Sequence, residues 1–489
     1  MINMGKFDKL SGANRLFTLP YAIISALGMA VVGFIIAKFG IVSAVLFLLI
    51  PLTIYYFIRL FRDPALGLTS TIVLNFFVLG MSRYVNAPFG LAIDALLVLS
   101  IIALLFKSYA LIKPDYSMLN NNVMYLALIW FVFLVLELLN PEVTSRAAWF
   151  FYMRGMGLYM LLTVFLVLMV YNTPKHFEKF LTIWAVLSLI GTLKGLGQNY
   201  FGLDQWEQHW LSTEGFVTHF VFGKLRIFSF YSDAGQFGAS QAHTAVVFLI
   251  IALNTQKKSL KYFYLIVALF GFWGMSLAGT RGAMAVPVAG FFLYIILRKK
   301  IKVIVFGFIL LISILIFFKF TSIGQGNDQI RRMRSAFDTE DNSLNVRLDN
   351  QKKLSKYLAS RPFGGGVGNA GAKALRFAPD SFLANVATDS WFVQVWAETG
   401  VVGLYLHFFI IFFILGKGCY IVMYKIKDED LKIKMNALMS GYLGVIAASY
   451  GNAVISGLPT AFLIYPSITY VFLYSHLEKQ KEQELIASS

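Results

Sequence analysis

The chain has 489 residues, of which 58% are hydrophobic and only 14% are charged. A soluble protein of this length does not have such a composition, and repeated apolar runs of about 20 residues are typical of membrane-spanning helices. The formal net charge of +17 does not indicate nucleic-acid binding, because Lys and Arg concentrate in the cytoplasmic loops of membrane proteins. Cys419 is the one cysteine, so no intrachain disulfide can form.

Apolar windows predict about 14 membrane-spanning helices, which form a single transmembrane domain over residues 1–489. No short apolar core with a small-residue cleavage site begins the chain, so the first window is expected to be an uncleaved anchor. The sequence therefore predicts an all-α, polytopic integral membrane protein with about 12–14 transmembrane helices. The windows lie at 20–37, 41–58, 65–82, 89–106, 122–139, 154–171, 178–198, 236–253, 262–279, 283–298, 302–319, 399–424, 435–455 and 458–475.

Basic residues predict the orientation of these helices, since Lys and Arg in short loops favour the cytoplasmic side. They collect in every second connector, as in Lys257, Lys258 and Lys261. Both termini are then cytoplasmic, and the two long loops at 199–235 and 320–398 lie outside. In a bacterium this arrangement corresponds to the inner membrane, with both loops in the periplasm.

The ionisable residues within or beside the predicted spans lie towards the outward ends of those spans. A transporter or a flippase for lipid-linked oligosaccharides needs such groups near the membrane midplane, where its substrate binds. A site at the outer face instead needs ionisable groups at the outward ends of the spans, which is where these residues lie. Single residues can also be interfacial anchors. They are Arg83, Asp94, Glu137, Arg154, Lys194, His243, Arg281, Glu398 and His407.

Motifs for metal or nucleotide chemistry do not occur in the sequence. The six histidines are scattered, and no P-loop, dinucleotide fingerprint or GxSxG motif is found. No metal and no cofactor are therefore expected. Arginines, carboxylates and glycines on the outer face remain as the candidates.

Two arginines lie near the end of the first long loop and beyond the helix window that follows it. Arg226 precedes IFSFYSDAGQFG, in which Ser232 or Asp233 is a good helix cap and Asp233 is also an ion-pair candidate for Arg226. Arg281 lies in the tight connector SLAGTRGAMAVP. A guanidinium is always charged and binds phosphate oxygens in pairs, so the two arginines together suit a pyrophosphate. For Arg281 alone, an interfacial anchor is the competing interpretation.

The second long loop has three candidate parts. Apolar spacing over 344–358 predicts an amphipathic helix that carries Arg347 and ends before Arg361. The following GGGVG run either permits a close backbone approach or acts as a hinge. The segment TDSWFVQVWAETGVVG then brings Asp389, Ser390 and Glu398 beside two tryptophans. The aromatic residues expected to stack on sugars or to anchor at the interface are Trp391, Trp396, Trp206 and Trp210.

The order of these elements resembles the superfamily of O-antigen ligases and O-antigen polymerases, the WaaL- and Wzy-like membrane glycosyltransferases. The matching segments are RIFSFYSDAGQFG, GTRGA, NVRLDNQKKL with SRPFGGGVG, and DSWFVQVWAETGVVG, within about residues 180–475. Ser390, Gly400 and Gly403 meet the ligase pattern of the family, whereas Asp389 stands where that pattern has histidine.

The resemblance implies a GT-C-like fold and transfer of a glycan from undecaprenyl pyrophosphate to a glycan or lipid acceptor, with membrane lipid and other polysaccharide-assembly proteins as further partners. Arg226 and Arg281 would neutralise the leaving pyrophosphate, and Asp389 would be the base. Because the histidine is missing, we favour a polymerase; the alternatives are a ligase to lipid A–core, a protein O-oligosaccharyltransferase and a flippase. The residues expected to bind pyrophosphate or glycan are Arg347, Arg361, Ser390, Asp233 and Glu398.

Overall fold

The computed structural model describes residues 19–85, 87–110, 114–221, 223–299, 301–326, 328–334 and 342–488. Within them the protein consists of α-helices and one two-residue antiparallel ladder, so the predicted all-α membrane fold is confirmed. The ladder pairs β1 (Phe220–Val221) with β2 (Lys224–Leu225). The helices are α1 Leu19–Phe39, α2 Ile41–Arg62, α3 Ala65–Met81, α4 Gly90–Ala110, α5 Asn122–Leu136, α6 Arg146–Met153, α7 Tyr159–Val170, α8 Pro174–Tyr200, α9 Gln205–Trp210, α10 Phe216–His219, α11 Ala234–Asn254, α12 Lys258–Ala278, α13 Ala285–Arg298, α14 Ile301–Phe320, α15 Asp328–Arg334, α16 Asn342–Leu358, α17 Trp391–Tyr424, α18 Glu429–Ala448, α19 Ala461–Phe472 and α20 Tyr474–Ser488.

Each of the 14 predicted windows overlaps a helix in this part of the chain. Eight helical stretches among the described residues are by themselves long and apolar enough to cross a membrane. They are Gly90–Lys107, Asn122–Leu139, Arg146–Val170, Pro174–Tyr200, Ala234–Asn254, Lys258–Ala278, Arg281–Arg298 and Trp391–Tyr424.

The chain divides into two compact units, with the boundary after Asp63. In the first unit, α1 packs against α2. The second unit, from Pro64 onward, contains every candidate site residue.

Helix α11 is the centre of the second unit, and nearly all of its residues are buried. It packs against α12, α13 and α18. Small residues permit this approach: a Cβ atom on Gly271 would lie 2.8 Å from the Gln241 carbonyl oxygen, and one on Gly238 would lie 2.9 Å from the Ala278 Cβ. Close contact through small residues is how helices associate in lipid, where apolar burial alone gives little driving force. Helix α11 is therefore a fixed support for Asp233 at its N-terminus.

The long polar loop contains α15, α16 and a short 3-10 turn, and it ends where α17 begins at Trp391. The predicted amphipathic helix over 344–358 is confirmed as α16. Only its C-terminal half is buried, since Leu354 is 0% exposed and Val346 is 57% exposed. Leu354 and Leu358 pack in a small apolar cluster with Ala370, Leu383, Val386 and Ala397. The loop thereby holds one end of α16 firmly and presents the other end, which carries Arg347.

Helix α17 is kinked at Gly400, which has φ 65° and ψ −167°. A Cβ atom at this position would lie 2.1 Å from the Pro362 carbonyl oxygen, so only glycine fits. The glycine run of the loop is bonded across this kink, with Gly365 N donating to Ala397 O at 2.9 Å and Gly366 N to Glu398 O at 3.0 Å. The run is therefore a close backbone contact rather than a hinge.

Candidate active site

Arg347 and Asp389 meet at the presented end of α16. The Arg347 Nε lies 3.2 Å from the Asp389 Oδ2, and the Arg347 Nη2 donates to the Gly451 carbonyl oxygen at 3.3 Å. Both side chains remain accessible, at 35% and 50% exposure. They line an open pocket of about 390 Å³, mouth included, together with Gln351, Ser390 and Tyr450. A charged pair that water and a ligand can both reach is suited to binding and proton transfer.

Ser390 ties this pocket to the end of α18. Its Oγ donates to the Ser449 carbonyl oxygen at 3.3 Å, and the next residue, Trp391, donates its backbone N–H to the same oxygen at 3.0 Å. Ser390 is buried. Its observed contacts therefore position Asp389 relative to the turn that follows α18.

Arg226 is bonded to the residue directly before Arg281. The Arg226 Nη2 donates to the Thr280 Oγ1 at 2.7 Å, and the same hydroxyl donates to the Ala234 carbonyl oxygen at 3.0 Å. Helix α12 ends at Ala278 and is capped by Gly279, whose φ of 55° turns the chain towards Arg281. The two arginines of the sequence prediction thus lie on segments that Thr280 joins.

The turn at 449–452 connects the two halves of the site. A Cβ atom on Gly282 would lie 2.9 Å from the Asn452 Nδ2, and one on Gly235 would lie 3.2 Å from the Asn452 Oδ1. Asn452 therefore lies between the residue after Arg281 and the start of α11, while Gly451 accepts the hydrogen bond from Arg347. Segments from four regions of the chain converge on this turn, which we call the convergence turn.

Asp233 acts as the N-cap of α11. Its Oδ1 accepts from Gln236 N at 2.9 Å and its Oδ2 accepts from the Ser232 Oγ at 2.7 Å. Such a cap stabilises a helix by about 0.5–2 kcal/mol. The predicted cap is confirmed, whereas a role of Asp233 in binding substrate stays a prediction.

Arg361 and Glu398 lie apart from the pocket at Asp389. Eleven residues of helical rise, about 16 Å, separate Arg347 from the end of α16 at Leu358, and Arg361 lies three residues beyond that end. The Arg361 Nε lies 3.0 Å from the Glu142 Oε1 in a separate cleft. Glu398 is 0% exposed and lies behind the glycine run. The sequence grouped these residues with Asp389, but the structure does not bring them together.

Comparison with known families gives one match for this region. Residues 266–408 match the family model described as O-Antigen ligase, Wzy_C. Over these residues the chain is similar to that family, and they are called the matched residues below. No curated protein matches the chain. The match confirms the superfamily predicted from the sequence and, with the apolar helices, supports a bacterial membrane protein with a glycosyltransferase-like role in polysaccharide assembly.

The matched residues contain Arg281, Arg347 and Asp389, whereas Arg226 and Asp233 precede them. Helix α18 and the convergence turn follow them. The site is therefore completed by segments on both sides of the matched residues. Among the residues that the structure describes, no three His, Cys, Asp or Glu side chains are grouped as metal ligands.

Arg83 holds the chain segment between Arg226 and Asp233 in place, a role that the sequence did not predict. Its Nη1 donates to Ser229 O at 2.7 Å and its Nη2 to Tyr231 O, while its guanidinium lies 4.4 Å from the ring centres of Trp210 and Phe228. Burial lowers the pKa of Arg83 to about 10, and the nearby Glu207 carboxylate opposes that shift. Arg83 fixes the chain between Arg226 and Asp233; the sequence signal was only its position at a span end.

Trp391 is 2% exposed, so the expectation that it stacks on sugars or anchors at the interface is wrong. Its indole Nε1 donates to the His407 Nε2 at 2.9 Å, and the His407 ring lies 4.7 Å from that of Trp130. An indole N–H can only donate, so this histidine nitrogen must be the unprotonated one. The Trp391 and His407 rings lie within the matched residues 266–408. They hold the start of α17 in place, behind Asp389.

Proposed function

We propose that the protein is an integral membrane glycosyltransferase that moves a glycan from undecaprenyl pyrophosphate to an acceptor sugar hydroxyl at the periplasmic face. The observation that carries this proposal is the convergence turn. Arg347, which contacts Asp389, donates to Gly451 of this turn, and Asn452 of the turn lies beside Gly282, the residue after Arg281. A diphosphate and an attacking hydroxyl need this combination of arginines and a carboxylate.

In this proposal the arginine pair, Arg226 and Arg281, binds the pyrophosphate of the donor. As the bond between the anomeric carbon and the phosphate oxygen breaks, negative charge grows on that oxygen. Fixed donors aimed at such charge contribute about 3–4 kcal/mol each to the transition state. Thr280 holds the Arg226 guanidinium at 2.7 Å, so the charge is positioned before the substrate arrives.

Asp389 accepts the proton of the acceptor hydroxyl in the same step. The hydroxyl oxygen forms the new bond to the anomeric carbon, and undecaprenyl pyrophosphate leaves with the electron pair of the broken bond. Arg347 orients the carboxylate through the 3.2 Å contact. General-base catalysis of this kind contributes about 10²–10⁴ in rate.

Within this reaction class we favour a polymerase, whose acceptor is a second lipid-linked repeat unit, because Asp389 replaces the histidine of the ligase pattern. A ligase is the second candidate, since the matched family model is described as O-Antigen ligase. The two glycines of the ligase pattern have a structural reason to be present: Gly400 forms the kink, and a Cβ atom on Gly403 would lie 2.1 Å from the Thr399 Oγ1.

Deletion of the gene, followed by gel electrophoresis of the surface glycans, separates these candidates. Loss of long chains with one repeat unit retained on the core supports the polymerase. Loss of every repeat unit supports the ligase. Unchanged surface glycans, combined with loss of glycan on a secreted protein, would overturn both in favour of a protein glycosyltransferase.

The site also fits a periplasmic location with both termini cytoplasmic, as the basic connectors predict. Cysteine substitutions at exposed positions test this orientation. In a variant with Cys419 replaced by Ser, a cysteine at Asp380 is expected to react with a membrane-impermeant maleimide in intact, outer-membrane-permeabilised cells. A cysteine at Lys427 is expected to react only after lysis, and the reverse pattern would contradict the orientation.

A further inference from the structure

A second cleft lies beside the glycine run, between the end of α5 and the turn before the run. It encloses about 840 Å³, mouth included, and its walls are residues 136–142 and 360–364. The Asn140 Nδ2 joins these walls by donating to the Glu137 Oε2 and to the Phe363 carbonyl oxygen, both at 2.9 Å. The cleft is therefore a built feature of two bonded segments rather than a gap between loose ones.

The charges of this cleft differ from those around the convergence turn. Two carboxylates, Glu137 and Glu142, face one guanidinium, Arg361, which is already held at 3.0 Å by Glu142. Glu142 thus already neutralises Arg361, while Glu137 is only 3% exposed, so the cleft offers no surplus positive charge to a phosphate. Carboxylate oxygens that accept and guanidinium N–H groups that donate are together suited to an uncharged ligand with many hydroxyl groups.

Apolar surface accompanies these polar groups. The Phe363 side chain is 52% exposed and the Leu139 side chain is 79% exposed, both at the cleft. A pyranose ring has an apolar face of C–H groups and an edge of hydroxyl groups. An open wall of aromatic and aliphatic carbon next to convergent polar groups matches both parts of such a ring.

The position of the cleft relates it to one of the two substrates. Val402 N donates to Pro362 O at 3.2 Å across the kink, so the cleft wall is attached to the helix that begins directly after Asp389 and Ser390. Ten residues of helical rise, about 15 Å, separate Ser390 from the kink. The arginine pair is attached instead to α11 and α12. The cleft is thus on the side of the base, which handles the acceptor.

We infer that this cleft is a glycan-binding subsite that holds an uncharged sugar residue of the acceptor, several sugars away from the attacked hydroxyl. The inference rests on the proposed glycosyl transfer. It assigns Glu142, Arg361 and Phe363 to acceptor affinity and leaves pyrophosphate binding to the arginine pair.

Saturation-transfer NMR on the purified full chain in detergent tests this assignment. The probe is the repeat-unit oligosaccharide released by mild acid from the lipid-linked pool of the producing cells. The wild-type protein is expected to bind it, and Glu142→Gln and Phe363→Ala are each expected to raise the Kd about tenfold, as loss of a charged hydrogen bond does. Arg281→Ala and the exposed loop variant Arg376→Ala are the controls and are expected to keep the wild-type Kd.

Equal Kd values for the wild-type protein and both cleft variants would overturn the inference, even if the enzyme transfers glycan normally. Weakened binding of undecaprenyl phosphate, with glycan binding unchanged, would also overturn it, because the cleft would then hold lipid. Absence of transfer by the wild-type protein in a lipid-linked-glycan assay, with variant-sensitive glycan binding retained, would instead refute the proposed transfer reaction and leave the subsite standing.

Discussion

Each end of α16 lies near an arginine that contacts a carboxylate, but the surroundings of the two arginines differ. At the N-terminal end Arg347 contacts one carboxylate, Asp389, next to the convergence turn, which also lies beside the segment that carries Arg281. At the C-terminal end Arg361 contacts Glu142 in a cleft with a second carboxylate. An arginine therefore does not identify a phosphate site by itself. The balance of the charges around it decides whether an anion or a neutral ligand is favoured.

The kink joins the two regions, so changing it is expected to have the largest effect on both. Gly400→Ala puts a Cβ atom 2.1 Å from Pro362 O in a left-handed conformation, a strain of about 1–3 kcal/mol before any clash. We expect little folded protein in fluorescence-detected size exclusion and a lower Tm. Gly416→Ala is the matched control on the same helix, because open space surrounds that position; a Tm equal to that of Gly400→Ala would refute the role of the kink.

Among the substitutions that leave the fold intact, Asp389→Asn is expected to have the largest effect on activity. Loss of the base is expected to lower glycan transfer about 10²–10⁴-fold, with the Tm unchanged because the side chain is half exposed. Transfer is measured with lipid-linked glycan and purified protein. Asp380→Asn, an exposed carboxylate of the same loop, is expected to retain full activity. Full activity of the Asp389 variant would remove it from the mechanism.

Arg281→Ala and Arg361→Ala compare the anion-binding and neutral regions directly. Removing Arg281 is expected to lower kcat about 10²–10³-fold, as loss of a transition-state donor does. Removing Arg361 is expected to raise the KM for the acceptor and to preserve kcat. Steady-state kinetics with each substrate varied in turn distinguishes these results, and identical profiles for the two variants would abolish the distinction.

Arg347→Ala is expected to have the smallest effect. An accessible ion pair contributes about 0–1 kcal/mol to stability, so the Tm is expected to stay near that of the wild type. The transfer rate is expected to fall by about tenfold, because Asp389 loses its orienting contact while its carboxylate remains. In a double-variant cycle, Arg347→Ala should have no further effect when Asp389 is already Asn; full additivity of the two losses would show that they act independently.

The sequence predicted the helices well, because apolar runs and capping residues are local signals. Asp233 as the cap of α11 and the helix over 344–358 both follow from neighbouring residues. The contacts of Arg347 with Asp389 and of Arg226 with Thr280 join segments that the sequence singled out, whereas the roles of these residues stay predictions. The sequence grouped Arg361 with Asp389 because it does not show that about 16 Å of helix α16 lies between Arg347 and the turn that precedes Arg361.

Asn452, Arg83 and the bond between Trp391 and His407 could not be predicted, because each depends on contacts between distant segments. Asn452 lies more than 160 residues after Gly282, yet the two are in contact. Trp391 looked like an interfacial residue because it follows a polar loop, but the packing of α17 against α5 and α18 buries it. Tertiary packing, rather than composition, determines these positions.

The break at Gly400 also sets the depth of the reaction relative to the lipid. Residues 401–424 of α17 rise by about 36 Å, which is enough to cross the roughly 30 Å hydrocarbon layer of a bilayer. In the proposed orientation we expect residues 391–399 to lie beyond that layer and Asp389 to lie in the hydrated headgroup zone. In that zone a carboxylate can stay charged and a sugar chain can stay hydrated. Only the polyprenyl tail of the donor then needs to remain in the hydrocarbon layer.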